Sequence, residues 1–264
     1  VCNDNTISGV ILWEHDDASG VKDTRVDLTG DQTGFMNTPL NGAYAFTVSS
    51  GTAFTITPTK TIIKLNGVTS ADALRIQQHF TNSSPITDPY KLVAADVNKS
   101  NSITTLDAVV INQALLGNPA GLNQFKTSWR FVPASHTMTL PPWGFPEKII
   151  LTGVNGDVPG QDFYGIKTGD VVATFANPAN FGAGNAWIFE VQDQVLQAGS
   201  QVTVEFRAGQ FFDLAALQCA LHFDPGTLSL LTFQALSGMP LSEANFGTWE
   251  LDEGIVRVVW SQSE

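Results

Sequence analysis

Oxygen-bearing side chains alternate along a polar stretch near the middle of the chain, ADVNKSNSITTLDAVVINQALLGN, which covers residues 95–118. Asp96, Asn98 and Ser100 occupy every second position, and Asp107 follows at the start of an apolar segment. Calcium is bound by about six to eight oxygen atoms, and a loop of about twelve residues supplies them when alternate residues point inward. The residue types and their spacing therefore predict a calcium site with Asp96 at the first loop position.

The later positions of the same loop also carry suitable residues. Counted from Asp96, Ser102 is seventh and is expected to bind through its backbone carbonyl, and Thr104 is ninth and is expected to bind through a water. Asp107 is twelfth and can bind with both oxygens. Asn101 is sixth, where the loop needs a left-handed turn that Asn tolerates better than most residues. Helix capping alone would explain Thr104 and Asp107, but not the alternation before them.

Two helices are predicted to hold this loop. The segments SADALRIQQHF and TLDAVVINQALLG carry apolar residues at helical spacing. They repeat one pattern at a constant offset, so that Val68 corresponds to Ile103 and Asp72 to Asp107, which indicates two copies of one helix–loop unit. The predicted apolar stripe of the second helix consists of Leu106, Val109, Val110 and Leu115.

The first copy lacks the cation ligands of the second. Its first, third and fifth loop positions are Thr61, Ile63 and Leu65, and the two apolar side chains carry no oxygen. We predict a metal-free half that packs against the metal-binding half, with Val68 beside Ile103.

The composition limits the classes of function. The chain has 264 residues, of which 43% are hydrophobic and 14% charged, and its formal net charge is -12. Nucleic acid is an unsuitable partner for such a chain, because phosphate binding needs clustered Lys and Arg. No stretch is apolar over the roughly twenty residues that span a membrane. Cys219 is expected to lie buried on one strand face, and whether it pairs with Cys2 stays open.

The remaining patterns divide the chain into four parts and give a multidomain, mainly β fold class. Residues 1–60 alternate apolar and polar types between regularly spaced turn signals, which predicts a β-sandwich. Residues 61–173 hold the small α unit and a Trp- and Pro-rich extension that is expected to be irregular. Residues 174–186 have the composition of a linker. Residues 187–264 predict a second, incomplete β-sandwich, because GIVRVVWSQ reads as a strand whose neighbour is missing.

A second cation site is a further hypothesis. Asn155, Asp157, Asp162 and Asp170 lie within VNGDVPGQDFYGIKTGD and offer four side-chain oxygen donors. Their spacing fits no standard calcium loop, and Asn, Asp and Gly are also typical turn residues. Both explanations remain open from the sequence.

The two helix–loop units, with DVNKSNSITTLDAVVINQALLG in the second, resemble a type I dockerin, which is a tandem of two half-EF-hands. The resemblance covers residues 61–120. The first loop departs from the family's ligand pattern, so the resemblance alone leaves a second calcium undecided. The resemblance implies a set of calcium ligands in the second loop, namely Asp96, Asn98, Ser100, Ser102 and Asp107.

Other segments resemble modules of secreted proteins. Residues 7–60, with ISGVILWE and NGAYAFTV, are similar to a carboxypeptidase-regulatory or collagen-adhesin B-type module, and residues 187–264, with FDPGTL, are similar to a cohesin. In this order the modules resemble multimodular secreted surface proteins of Bacteroidota type, whose dockerin-like unit carries an extension similar to Trp129–Phe131 and Asp162–Val171. The resemblance implies an extracellular, calcium-stabilised structural or adhesive protein of a surface fibre, filament or appendage, exported by type IX secretion. Its partners would be neighbouring copies or other surface proteins.

No catalytic pattern accompanies these modules. The four His residues fit no zinc-binding pattern, and the sequence holds no G-x-S-x-G turn, P-loop or dinucleotide fingerprint. We therefore predict a protein that is not an enzyme. One alternative is the non-catalytic binding portion of a larger secreted hydrolase. Another is a carbohydrate-binding protein that stacks sugar rings on Trp129, Trp143, Phe145 and Trp249.

Overall fold

The computed structural model is mainly β and has four short helices in its described part. The chain separates into two compact units, one of which comprises Val1–Phe175 with Ala216–Glu264 and the other Ala176–Ala215. The predicted linker, residues 174–186, lies outside the described residues, and so does Cys2. The described residues are 4–61, 64–173, 189–208, 214–233 and 240–262.

Eight strands of the first unit form two sheets. They are β1 (Asp4–Trp13), β2 (Arg25–Gly30), β3 (Gly34–Asn37), β4 (Ala43–Ser49), β5 (Gly51–Thr59), β6 (Trp129–Pro133), β7 (Ile149–Val154) and β8 (Phe163–Lys167). The strand order is β4-β1-β8-β6 in one sheet and β3-β2-β5-β7 in the other. β1 and β8 are parallel, and the other neighbours in these two sheets are antiparallel.

One hydrophobic core is shared by these two sheets. Ile7 and Phe163 of the first sheet belong to the same buried cluster as Leu28 and Phe54 of the second. Burial alternates along β4, as the sequence predicts, because successive side chains of a strand point to opposite faces.

The extension that follows the helices is not irregular, which corrects the prediction. It contains β6, β7 and β8, and these strands complete the sheets that residues 4–59 begin. All five residues of β6 are buried. A strand buried on both faces lacks the alternation that marks a strand with one face in solvent. The boundary predicted at residue 60 therefore separates strands that share one core.

Four helices lie between β5 and β6: α1 (Ser70–Phe80), α2 (Pro89–Ala95), α3 (Thr105–Leu115) and α4 (Pro119–Gln124). α1 and α3 are the predicted pair, and they contact each other. α2 and α4 are short and were not predicted. Each starts with a Pro after an N-cap side chain, because Asp88 accepts the Tyr90 amide at 2.8 Å and Asn118 accepts the Ala120 amide at 2.8 Å.

The buried face of α3 differs from the predicted stripe. Val110 and Leu115 are buried, but Leu106 and Val109 are 47% and 43% exposed. The helix is apolar on both sides, so residue type alone does not identify its inner face. The residues that face the core are Asp107, Ala108, Val110, Ile111, Ala114 and Leu115.

The C-terminal strands are divided between the two units, which corrects the predicted domain of residues 187–264. β9 (Phe189–Glu190) and β10 (Arg207–Ala208) pair with each other in the second unit. The first unit holds a three-stranded sheet in the order β11-β13-β12, made of β11 (Ala216–His222), β12 (Phe246–Glu250) and β13 (Ile255–Ser261). β13 has a neighbour on both sides, so the prediction of a missing partner strand is wrong.

The three-stranded sheet packs against the helices rather than forming a sandwich of its own in the described residues. α1 contacts β11 and β13, and α3 contacts β13. Val259 of β13 belongs to the buried cluster that holds Val68, Ile76 and Ile111 of the helical part. Cys219 of β11 is half-buried, and this burial raises the pKa of its thiol.

Candidate metal centre

The predicted cation loop joins α2 to α3. Asp96 follows the last residue of α2, and Asp107 lies in the first turn of α3. Both side chains are 0% exposed, whereas residues 99–102 between them face solvent. The loop therefore turns its two carboxylates inward, as a cation site requires.

Backbone amides of the loop converge on Asp96. Its Oδ1 accepts the Ser100 amide at 2.8 Å, and its Oδ2 accepts the Asn101 amide at 2.9 Å. The Asn98 side-chain oxygen also accepts the Ser100 amide, at 2.9 Å. Asn101 has φ of 60°, which confirms the left-handed turn predicted at the sixth loop position. These contacts coil the loop around the Asp96 carboxylate.

Asp107 uses only one of its two oxygens for capping. Its Oδ2 accepts the Thr104 amide at 2.9 Å and the Thr104 hydroxyl at 3.2 Å. Its Oδ1 is buried and has no hydrogen-bond partner among the described residues. Burial is the largest effect on the pKa of Asp107 and raises it. The Asp96 charge raises this pKa further, and the contacts with Thr104 and the Asn98 amide lower it.

A cation would satisfy the buried oxygen of Asp107. An unsatisfied buried carboxylate oxygen costs about 1–3 kcal/mol or more, and a bound cation removes that cost. Neutral oxygens from Asn98, Ser100 and Ser102 lie on the same loop, where the Ser100 hydroxyl donates to the Ser102 carbonyl at 3.1 Å. The residues present therefore fit calcium, which prefers carboxylate, carbonyl and hydroxyl oxygens.

This loop contains two acidic residues, Asp96 and Asp107. In the described part of the chain, no group of three or more His, Cys, Asp and Glu side chains is placed to hold a metal. The site consequently depends on neutral oxygens. Thr104 at the ninth position accepts the Leu106 amide at 3.2 Å, so the structure gives it a capping contact beside its predicted role.

The residues of the second hypothetical cation site contact different elements. Asp157 accepts the Thr6 amide at 2.7 Å, and Asp162 accepts the Val10 amide at 2.8 Å, both from β1. The Asn155 side chain donates to the Gly153 carbonyl at 3.2 Å. Asp170 is buried, and its charge adds to the effect of burial, which raises the pKa of Asp72 at the start of α1. These contacts describe local capping and burial, and the second site stays a prediction from sequence.

The aromatic residues proposed for sugar stacking do not form one surface. Trp129 is buried in the core of the two sheets, and Phe145 is buried with the Arg130 guanidinium 4.4 Å from its ring centroid. Trp143 is half-buried against the helical core. Trp249 is 62% exposed on β12. Three of the four thus have packing roles.

The helix–loop pair agrees with a known protein family. Residues 66–116 match the Dockerin type I domain. The match begins in the first loop, includes all of the second loop and ends directly after α3. Domains of this family are extracellular modules that bind calcium and cohesin partner proteins.

The match covers α1, α2 and α3 and none of the sheets. No curated protein and no solved structure matches the chain significantly. None of the helices in the described ranges has the length and apolar character needed to cross a membrane.

Proposed function

We propose that this chain is an extracellular structural or adhesive protein whose dockerin domain binds calcium and joins neighbouring copies or other surface proteins into a bacterial surface fibre or appendage. The observation that carries the proposal is the unsatisfied Oδ1 of Asp107, which lies in a loop coiled around Asp96 and within the dockerin match. The modules are scaffold, and the chain has no catalytic role in this proposal.

Calcium would be held by the side chains of Asp96, Asn98, Ser100 and Asp107 and the carbonyl of Ser102. With only two carboxylates, the affinity would be modest, because affinity in such loops rises with the number of charged ligands. Bound calcium would join the end of α2 to the start of α3 and would stabilise the folded state by mass action.

The test is thermal melting of the full chain in calcium and in EGTA. Calcium should raise the melting temperature of the native protein, and Asp96→Ala should remove this dependence. Asp16→Ala is the matched control, because Asp16 also accepts two backbone amides, from Ala18 at 3.0 Å and Ser19 at 2.9 Å, in an exposed turn. Equal melting temperatures of the native chain in calcium and in EGTA would contradict the calcium site.

A partner surface is available on α3. Leu106 and Val109 lie one turn apart and are both exposed, although they are large apolar side chains. Exposed apolar patches mark protein–protein contacts more often than isolated exposed residues do. Light scattering of the full chain in calcium should show self-association that Leu106→Glu weakens and Leu140→Glu, at another exposed leucine, leaves unchanged. Binding to immobilised type I cohesins, with the same two variants, tests other surface proteins as partners.

The alternative is the non-catalytic binding portion of a larger secreted hydrolase. The dockerin match favours it as well, because the same domain would then attach the hydrolase to a cohesin partner. A catalytic domain encoded next to this segment would support that alternative.

A further inference from the structure

The two helix–loop units differ at one oxygen atom. Asp72 and Asp107 occupy corresponding positions, are both fully buried, and use Oδ2 to cap their helices. The Oδ1 of Asp107 lacks a donor, whereas the Oδ1 of Asp72 accepts the amides of Val171 and Val172 at 2.7 and 2.9 Å. The first loop is therefore supplied with donors by a segment that lies about a hundred residues later in the sequence.

The same segment places a buried amino group against the first loop. Lys167 is 1% exposed, and its Nζ donates to the Lys64 carbonyl at 2.7 Å and to the Thr168 carbonyl at 2.9 Å. Counted from Thr61, which corresponds to Asp96 of the second loop, Lys64 is the fourth residue of the first loop. Burial lowers the pKa of Lys167 to about 7, while the charges of Asp170 and Asp72 raise it. The amino group thus faces acceptors and negative charge within the helical part.

Several backbone contacts fix this segment. The Thr168 amide donates to the Ser128 carbonyl at 3.1 Å, and the Gly169 amide donates to the Ala94 carbonyl at 2.8 Å. Gly169 has φ of 84°, and a Cβ there would lie 2.6 Å from the Phe125 ring. The close packing leaves no room for a larger residue at this position. The segment is therefore tightly packed against the helical unit.

The first loop does not fit a calcium ion. Its first and fifth positions are Thr61 and Leu65, and its helix carboxylate already has partners on both oxygens. We propose that Lys167–Val172 replaces the metal of the first loop. The Val171 and Val172 amides satisfy the Oδ1 of Asp72, which corresponds to the Asp107 oxygen that a cation would satisfy in the second loop, and the Lys167 amino group supplies positive charge and binds a backbone carbonyl of the first loop. The dockerin domain then binds one calcium ion instead of two, and its first half is stable without metal.

The decisive variant is Lys167→Met, which keeps the length of the side chain and removes its charge. Melting is measured in EGTA at pH 6, where Lys167 carries its proton, so the result does not depend on whether the second loop binds calcium. Removing one partner of a buried charged set should lower the melting temperature by about 10 °C. Lys126→Met is the control, because Lys126 is exposed on the same unit.

A second variant tests charge replacement against simple packing. Lys167→Met combined with Asp170→Asn removes one charge of each sign and should recover at least half of the lost melting temperature. If Lys167→Met alone does not fold, the double variant still tests the proposal. Equal melting of Lys167→Met and Lys126→Met, or a double variant no better than Lys167→Met, would overturn the proposal.

Calcium titration of the native chain by calorimetry gives an independent answer. A stoichiometry of one ion per chain is expected. A second ion that still binds after Asp157 and Asp162 are both replaced by Asn would overturn the replacement of the first metal. No binding at all would contradict the proposed function of the second loop and leave the first-loop proposal supported by the Lys167 variants. The two proposals therefore fail by different results.

Discussion

The buried carboxylate of Asp72 should make the stability of the protein depend on pH. Burial raises its pKa from 3.8 to about 6, against the lowering effect of hydrogen bonds from Val172 and Thr69. The folded protein therefore holds this proton more tightly than the unfolded chain does. The resulting stabilisation is complete below pH 3.8 and is lost as the pH rises through about 6. The shift corresponds to about 3 kcal/mol of unfolding free energy.

Urea unfolding between pH 4 and pH 7.5 in EGTA measures this effect. Asp72→Asn has no proton to release, so the difference in unfolding free energy between the native chain and the variant should change by about 2.4 kcal/mol across the window, because part of the stabilisation is already lost at pH 4. Carboxylates that do not interact with Asp72 titrate alike in both proteins and cancel in that difference. Asp88→Asn, at the N-cap of α2, controls for replacing a capping carboxylate. A difference that stays constant from pH 4 to pH 7.5 would refute the reasoning.

Two further predictions concern packing between elements. Lys91→Met should lower the free energy of unfolding in urea by about 3 kcal/mol, because it leaves Glu14 buried without the amino group that now lies 2.9 Å away. Lys22→Met breaks an exposed ion pair and should lower the same free energy by less than about 1 kcal/mol. Gly247→Ala should lower the melting temperature, since its Cβ would lie 2.0 Å from the Leu116 carbonyl, and Gly156→Ala, with open space around it, should not. Equal behaviour within either pair of variants would contradict the contacts described.

The shape of the loop that carries the candidate site was predictable, because its determinants are local. The alternation from Asp96 to Ser100, the left-handed residue Asn101 and the capping carboxylate Asp107 lie within twelve positions of sequence. Hydrogen bonds between near neighbours then fix the loop, and they follow from residue type and spacing. The role of Lys167 could not be predicted, because its partner Lys64 lies 103 residues away.

Part of the two sheets could not be predicted from sequence, because it depends on contacts that are distant in sequence. β1 and β4 were recognised because alternation marks a strand with one face in solvent. β6 is buried on both faces and shows no such pattern, and the parallel pairing of β1 with β8 connects the two ends of a long segment. Pairing over that distance depends on packing of the whole core, which no local pattern records. The inner face of α3 could not be predicted, because this helix carries apolar residues on both sides.

The placement of the helices between β5 and β6 has a consequence for the order of folding. β1 and β5 cannot complete their sheets until β7 and β8 have been synthesised, because these later strands are their neighbours. α1 and α3 form largely from contacts close in sequence, which assemble faster than distant strand pairs. During synthesis the helical unit should therefore begin to form while the strands before it remain unpaired on one edge. Exposed strand edges promote aggregation, so early formation of the helices would bring the flanking chain ends together and shorten that exposed interval.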